Sequence, residues 1–280
     1  MVRDRRLALS FYLPALLWLF ALSVFPMFFS LAVSLTDYRT GQEWQWIGFK
    51  QYKDLLSDPR FYSALWVTLE IAGKALIVEL ALGTAIALFL WQKKPGFGII
   101  RLCVFLPMML SPLVVGFFFK YFFDAHGPIG HVTQKAWFID PDLAMNAILT
   151  AEIWQWTPFV VLMATAGLAS IPPEIEEAAR LDNAGAWQRF REIVLPYLRF
   201  PLMFVLLFRA IDTLKMFDLP LIMTGGGPGD TTVTLSMLAY RYGFSFNQIG
   251  RAAAASWILV ILLNILATVL IVMLSRRKDR

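Results

Sequence analysis

The chain has 280 residues, of which 58% are hydrophobic and only 16% charged, with a formal charge of +5. A water-soluble domain carries about 25% charged residues. The deficit, with several apolar runs near the ~20 residues that cross a bilayer, excludes an ordinary soluble enzyme or binding module and places the chain in a membrane. The positive balance then reads as basic cytoplasmic ends; no aromatic-basic surface motif accompanies it, so nucleic acid is not an expected partner. Cys103 is the only cysteine, which excludes an intrachain disulfide.

In chain order, MVRDRR leads into an apolar run, Leu7 to Leu35, too long for a signal core and without a small-residue cleavage site. It reads as a retained first span at about 9–35, carrying Pro14 and Pro26. Further spans follow at about 64–91, 99–123, 143–169, 200–223 and 252–275, the third with Pro107 and Pro112. Prolines are tolerated there because neighbouring helices and waters satisfy the freed carbonyls, and they predict kinked helices. The expected fold is therefore all-α, one polytopic membrane domain of six transmembrane helices over 1–280. Trp44, Trp46 and Trp137 in the connecting loops read as interfacial anchors. In span two, Glu70 and Lys74 stand four apart in the favoured order and read, with Glu79, as structural. His126 and His131 lie in one loop with no metal-ligand spacing and read as solvated. No internal repeat is evident, which weighs against a self-contained secondary carrier.

Loop charges set the orientation. With the N-terminus inside, the clusters at both ends, Arg3, Arg5 and Arg6 and then Arg276, Arg277, Lys278 and Arg280, are cytoplasmic, as are Lys93, Lys94 and Arg101. Both termini and the 171–199 loop, with Arg180, Arg189, Arg191 and Arg199, then face the cytoplasm.

That loop is the longest amphipathic stretch. Pro172 and Pro173 stop the preceding span and open a helix, and Glu174, Glu176 and Glu177 complement its dipole. Ile175, Ala178, Ala179 and Asp182 follow at helical spacing, and Asn183 suits a left-handed end. A second helix is expected over Trp187–Val194, ending before Pro196. A small apolar face of this kind fits a groove on another protein, or the membrane surface; the residues alone leave both open.

Glu177-Ala178-Ala179, then Ile193, Leu195 and Pro196, resemble the EAA motif of ABC-importer permeases, with Asn183 where that pattern has Gly. Phe217-Asp218, the TGGGPG stretch from Thr224, Thr232 and Tyr240-Arg241 are similar to the carbohydrate-uptake, maltose/trehalose-type branch. The resemblance implies a type I permease of a bacterial or archaeal cytoplasmic (inner) membrane. Its 171–199 loop would hold a coupling helix that docks on an ABC ATPase dimer through Glu177, Ala178, Ala179, Asp182, Asn183, Ile193, Leu195 and Pro196. It also implies a second homologous permease subunit, an extracytoplasmic solute-binding protein and contact with membrane lipid. No GK[ST] follows TGGGPG, which reads as a flexible turn, so no ATPase site is expected on this chain. Cofactors on it are expected to be none, with ATP and Mg on the partner ATPase subunits.

Intramembrane charges mark functional or interior positions. Span five carries Arg209, Asp212, Lys215 and Asp218 at intervals of three, readable as a polar path or as a chain locking two helices. Span four carries Glu152, Trp154, Gln155, Trp156 and Phe159, rings beside polar groups that suit a sugar, or interfacial and core aromatics. The resemblance places the solute path at Glu152, Gln155, Trp156 and Phe159, with Arg209, Asp212, Thr213 and Met216. The expected function is an ATP-driven, binding-protein-dependent importer permease for a sugar, oligosaccharide or sugar derivative. The alternatives are a permease for a phosphorylated polyol or polyamine, Arg209 suiting an anion, and an ATP-independent channel or secondary carrier.

Overall fold

The computed structural model describes residues 2–92 and 95–275, the side chains of residues 2–10, Arg180 and 274–275 excepted. Lys93, Lys94, 276–280 and the side chains of Arg3, Arg5, Arg6 and Arg180, which set the orientation above, lie outside the described residues.

The first helices are α1 (Val2–Leu19), α2 (Phe25–Ser34), α3 (Lys50–Leu56) and α4 (Pro59–Trp91). The middle of the chain holds α5 (Phe97–Phe105), α6 (Pro112–Phe123), α7 (Pro128–Thr133) and α8 (Pro141–Ala169). Then come α9 (Pro173–Leu181), α10 (Ala186–Arg189), α11 (Leu195–Leu214), α12 (Asp218–Met223), α13 (Leu235–Tyr240) and α14 (Ile249–Ser275). Among the described residues the one β feature is an isolated bridge between Thr36 and Trp46. Five helical stretches are long and apolar enough to span a membrane, 11–34, 59–91, 141–169, 186–214 and 249–273; a sixth forms if the bent pair 97–109 and 112–133 counts as one.

Two of the expected spans need correction. The third is broken rather than kinked, with a 98° bend. Pro112 disfavours helical geometry at the residue before it, and Leu110 and Ser111 are extended. The Ser111 hydroxyl then caps α6, accepting from the Val114 amide at 3.4 Å. The fifth span does not begin near 200 after a helix ending before Pro196. Instead α10 passes through a π-helical turn at Phe190–Val194 directly into α11, giving one helical line from 186 to Leu214. It stops at Leu214, and the last part of the expected span is the separate α12. The same device joins α1 to α2, where the π turn at Phe20–Val24 precedes Pro26. A proline ring clashes with the carbonyl four residues back and lacks its own N–H; a widened turn just ahead removes the clash, so the helix continues.

The chain packs as two compact units, Met1–Tyr62 with Leu238–Ile261, and Ser63–Met237 with Leu262–Arg280. In the first, the loop after α2 folds back on itself: the Asp37 amide donates to Gln45 O at 2.9 Å and Ile47 N to Leu35 O at 2.9 Å. Gly250 N donates to Tyr38 O at 3.0 Å, and a Cβ there would strike the Thr36 carbonyl, so only glycine lets α14 start against this loop. Asp58 caps α4, with Pro59 at the first helical position. Its carboxylate accepts from the Arg60 amide at 3.0 Å, the Arg251 guanidinium at 2.8 Å and the Tyr242 hydroxyl at 3.2 Å. Burial alone pushes the Asp58 carboxyl upward, but the Arg60 bonds and charge and the Tyr242 hydroxyl outweigh it and hold it below its ordinary value.

The second unit is built around α8, which packs against α11, α6 and α5. Among the described residues two apolar cores stand out in it. One joins Ile71 and Ala75 of α4, Val115 and Phe119 of α6, Ile148 and Ala151 of α8, and Met216, Leu219 and Met223. The other joins Ala87 and Leu90 of α4, Phe97 of α5, Val161, Ala164 and Leu168 of α8, and Ile171, Val194 and Leu198. At Gly83 a Cβ would collide with Val160, so α4 and α8 approach closely there.

Candidate functional site

Two sites stand out, the 171–199 loop and an ionic knot, joined by the 186–214 helix. In the loop, α9 ends where expected. Asn183 has φ +52°, and the Ala184 amide reaches back to Ala179 O at 3.0 Å while Asp182 N donates to Ala178 O at 2.9 Å. This is the capping geometry of a left-handed terminus, so Asn at the position of the pattern's Gly costs little. Glu177, Ala178, Asp182 and Asn183 are exposed, whereas Ala179 is buried. Ile193 is half-buried against the Leu168–Val194–Leu198 core, and Leu195 and Pro196 are exposed. Leu181 and Trp187 are 83% and 72% exposed, so the loop presents a bare apolar surface among its charges.

The knot lies at the level between the two apolar cores. Arg209 of α11 is fully buried, as is Glu79 of α4, and Glu152 of α8 nearly so. Arg209 grips Glu79 with two parallel bonds, Nε to Oε2 at 2.9 Å and Nη2 to Oε1 at 2.8 Å. Nη2 also donates to Glu152, and Nη1 to Asp212 at 2.7 Å. Lys215 pairs with the other oxygen of Asp212 at 3.3 Å. The Trp156 ring covers the guanidinium, 4.5 Å from centroid to Cζ. Desolvating an ion costs several kcal/mol, and only good geometry on every polar atom offsets it; planar bidentate arginine supplies that geometry. The knot thus ties three helices, α4, α8 and α11, at one height.

The expected path residues separate into two layers. Glu152, Gln155, Arg209, Thr213 and Met216 are buried; Trp156, Phe159 and Asp212 are partly open, with Lys215 exposed beside them. Gln155 Nε2 donates to Leu110 O at 3.0 Å, closing the carbonyl freed by the break in span three, while its Oε1 is buried without a partner. Met216 belongs to the first apolar core. The Phe159 ring lies tilted against Phe208, with centroids 5.3 Å apart. Asp218 opens α12, beyond the break, and does not continue the Arg209–Asp212–Lys215 ladder. Glu79 was missed as a member of the site. Its signal was available: it has no basic residue three or four positions away on its own helix, so its partner has to come from another. The TGGGPG stretch is tied, not loose: Thr224 and Thr232 hydroxyls meet at 2.7 Å, and Gly225 and Gly226 have φ of +62° and +92°.

Comparison with known proteins agrees with this architecture. Residues 79–280 match the family described as binding-protein-dependent transport system inner membrane component. This chain belongs to that family. Curated relatives of the permease include a probable ABC transporter permease protein of Sinorhizobium fredii, 33% identical over 98% of this chain and 93% of that one. The sulfoquinovosyl glycerol transport system permease protein of Agrobacterium fabrum is 33% identical, covering 99% and 92%. The trehalose/maltose transport system permease protein of Thermococcus litoralis is 30% identical, covering 99% and 96%. Among solved structures, a bacterial ABC transporter that imports the acidic polysaccharide alginate superposes with a TM-score of 0.86 at 21% identity, covering 100% of the permease and 98% of that chain. The permease is therefore a multi-pass membrane component of an ABC importer with that fold.

Proposed function

We propose that the permease passes a sugar or sugar derivative through a cytoplasmic membrane, driven by an ABC ATPase dimer that grips α9 from the cytoplasm. A second, related permease completes the pathway, and an extracytoplasmic binding protein delivers the solute. Both termini face the cytoplasm in this reading. ATP and Mg²⁺ belong to the ATPase subunits; this chain contributes the docking face and the moving helices.

One observation carries the reading. The exposed face of α9 leads, through a four-residue connection, into a single helical line that ends five residues beyond Arg209. A displacement applied at α9 reaches the three-helix knot as a rigid-body motion. The names of the relatives support a sugar: trehalose/maltose, sulfoquinovosyl glycerol and multiple-sugar systems recur among them. The open layer of Trp156 and Phe159 beside Asp212 supports it chemically, because apolar sugar faces sit on rings while hydroxyls bond a carboxylate. The anion alternative loses the residue that favoured it, since Arg209 already faces three carboxylates.

The test is the reconstituted complex. Candidate solutes on their binding protein are screened for stimulation of ATP hydrolysis, and ATP-driven uptake is measured in proteoliposomes. Ala178→Trp, on the exposed face, is expected to abolish uptake while the permease still folds; unchanged uptake in this variant removes α9 as the docking element. Trp156→Ala is expected to raise the solute concentration needed for half-maximal uptake, and an unchanged value removes the aromatic layer from the path.

A further inference from the structure

A cavity of about 570 Å³ lies where the end of α4, α5, the last turns of α8 and the first turn of α9 meet. Its walls are mostly apolar: Trp91, Phe105, Leu162, Leu168 and Ile171. Among the described residues the cationic group on its lining is Arg101. Arg101 Nη2 donates to Leu90 O at 3.0 Å, but its Nε is buried and has no partner. Among the described residues no carboxylate lies within ion-pair distance of Arg101. The Thr165 hydroxyl points back at Val161 O, at 2.8 Å, so it offers the cavity no donor. Glu176 of α9 lines the cavity too.

Nε itself is enclosed by protein and out of reach of a cavity ligand, but the guanidinium charge on the cavity wall has no carboxylate beside it, and a charge so placed is costly. The group that completes this cavity is an anionic oxygen attached to hydrocarbon. A free phosphate satisfies Arg101 but leaves the Phe105 and Leu162 walls wet. We propose that this cavity binds an anionic phospholipid, its phosphate on Arg101 and an acyl chain along Phe105 and Leu162. Because Pro173 and Glu176 form part of the lining, the bound lipid braces the root of the docking helix. The inference rests on the reading that α9 faces the cytoplasm, where the helix ends meet the headgroup plane and basic pockets between spans take anionic headgroups.

The experiment uses the assembled importer in nanodiscs of phosphatidylcholine with or without phosphatidylglycerol, followed by native mass spectrometry of co-retained lipid. The wild type is expected to retain one phosphatidylglycerol with about fivefold preference over phosphatidylcholine, the amount one basic group near the surface confers. Arg101→Gln is expected to abolish the preference, Arg101→Lys to keep most of it, and Glu176→Gln not to weaken it. Equal retention of the two lipids by the wild type overturns the proposal, as does equal phosphatidylglycerol retention by wild type and Arg101→Gln. Millimolar inorganic phosphate that displaces the lipid also overturns it, assigning the cavity to a free anion. The lipid comparison on the wild type needs no variant, so misfolding of Arg101→Gln leaves the test intact. Solute uptake is read separately: a complex that keeps the lipid but transports nothing rejects the transport reading and not the lipid site.

Discussion

At the scale of single residues, the chemistry concentrates on Arg209. Its neighbours Asp212 and Lys215 were visible as a ladder because local spacing places them on one side of a helix. Glu152 was visible as a costly acid in a span. The grip on Glu79 was not, because it joins residues 130 positions apart and depends on how α4 and α11 are rotated about their axes, which hydropathy does not encode. Arg209→Met leaves two buried carboxylates unmatched and is expected to destabilise the permease by about 3–5 kcal/mol, read as a lower thermal midpoint of the complex in nanodiscs. The triple change Arg209→Met, Glu79→Leu, Glu152→Leu removes all three buried charges of the knot and is expected to recover most of that loss. Recovery of stability without recovery of uptake assigns the knot a part in transport beyond holding helices together.

Asp58 gives a second expectation at this scale. Its carboxyl is held below the ordinary value of about 3.9 by Arg60 and Tyr242, against the pull of burial. A group depressed in the folded state adds stability above its unfolded value, and that stability is lost as pH falls through the folded one. The thermal midpoint of wild type is therefore expected to drop below about pH 4 relative to Asp58→Asn, and a constant difference between the two across that range removes Asp58 as the titrating clamp.

At the scale of elements, the composition and the 3.6-residue pattern located the helical stretches well and their ends poorly. Pro196 illustrates why. Read locally, it ends a helix; in the structure a π turn moves the offending carbonyl aside, and the apolar contacts of Val194 and Leu198 keep the line continuous. Pro112, by contrast, does break its span, because Gln155 is there to take the freed Leu110 carbonyl. The outcome at each proline depends on what a neighbouring helix offers, which one segment cannot reveal. Close helix approach is equally silent in the sequence: Gly83 and Gly73 look alike, yet an added Cβ meets nothing at Gly73 and collides with Val160 at Gly83. Gly83→Val is expected to cost about 1–3 kcal/mol by overpacking, and Gly73→Val far less. Equal thermal midpoints for the two variants contradict the tight α4–α8 crossing.

At the scale of the whole molecule, the proposed function requires the chain to convert a movement made by another subunit into a rearrangement of its spans. The short helix α9 and its exposed face were legible because its residue types serve a surface, where spacing along one short helix is enough. The transmission line was not, because its continuity rests on the π turn. In the proposed function, stiffness along 186–214 is then the property on which coupling depends. Gln188 and Glu192 are exposed on this line and hydrogen-bond each other across one turn, at 3.4 Å. Replacing both with glycine removes little packing but costs the helix about 1 kcal/mol per residue in propensity, and softens it between α9 and the knot. The double variant is expected to dock its ATPase normally and to hydrolyse ATP, while the number of ATP molecules consumed per solute imported rises severalfold. That ratio is measured by following phosphate release and labelled-solute uptake in the same proteoliposomes. An unchanged ratio means that the push travels by another route, through the connection between α8 and α9, and that the continuous helix is a consequence of packing alone.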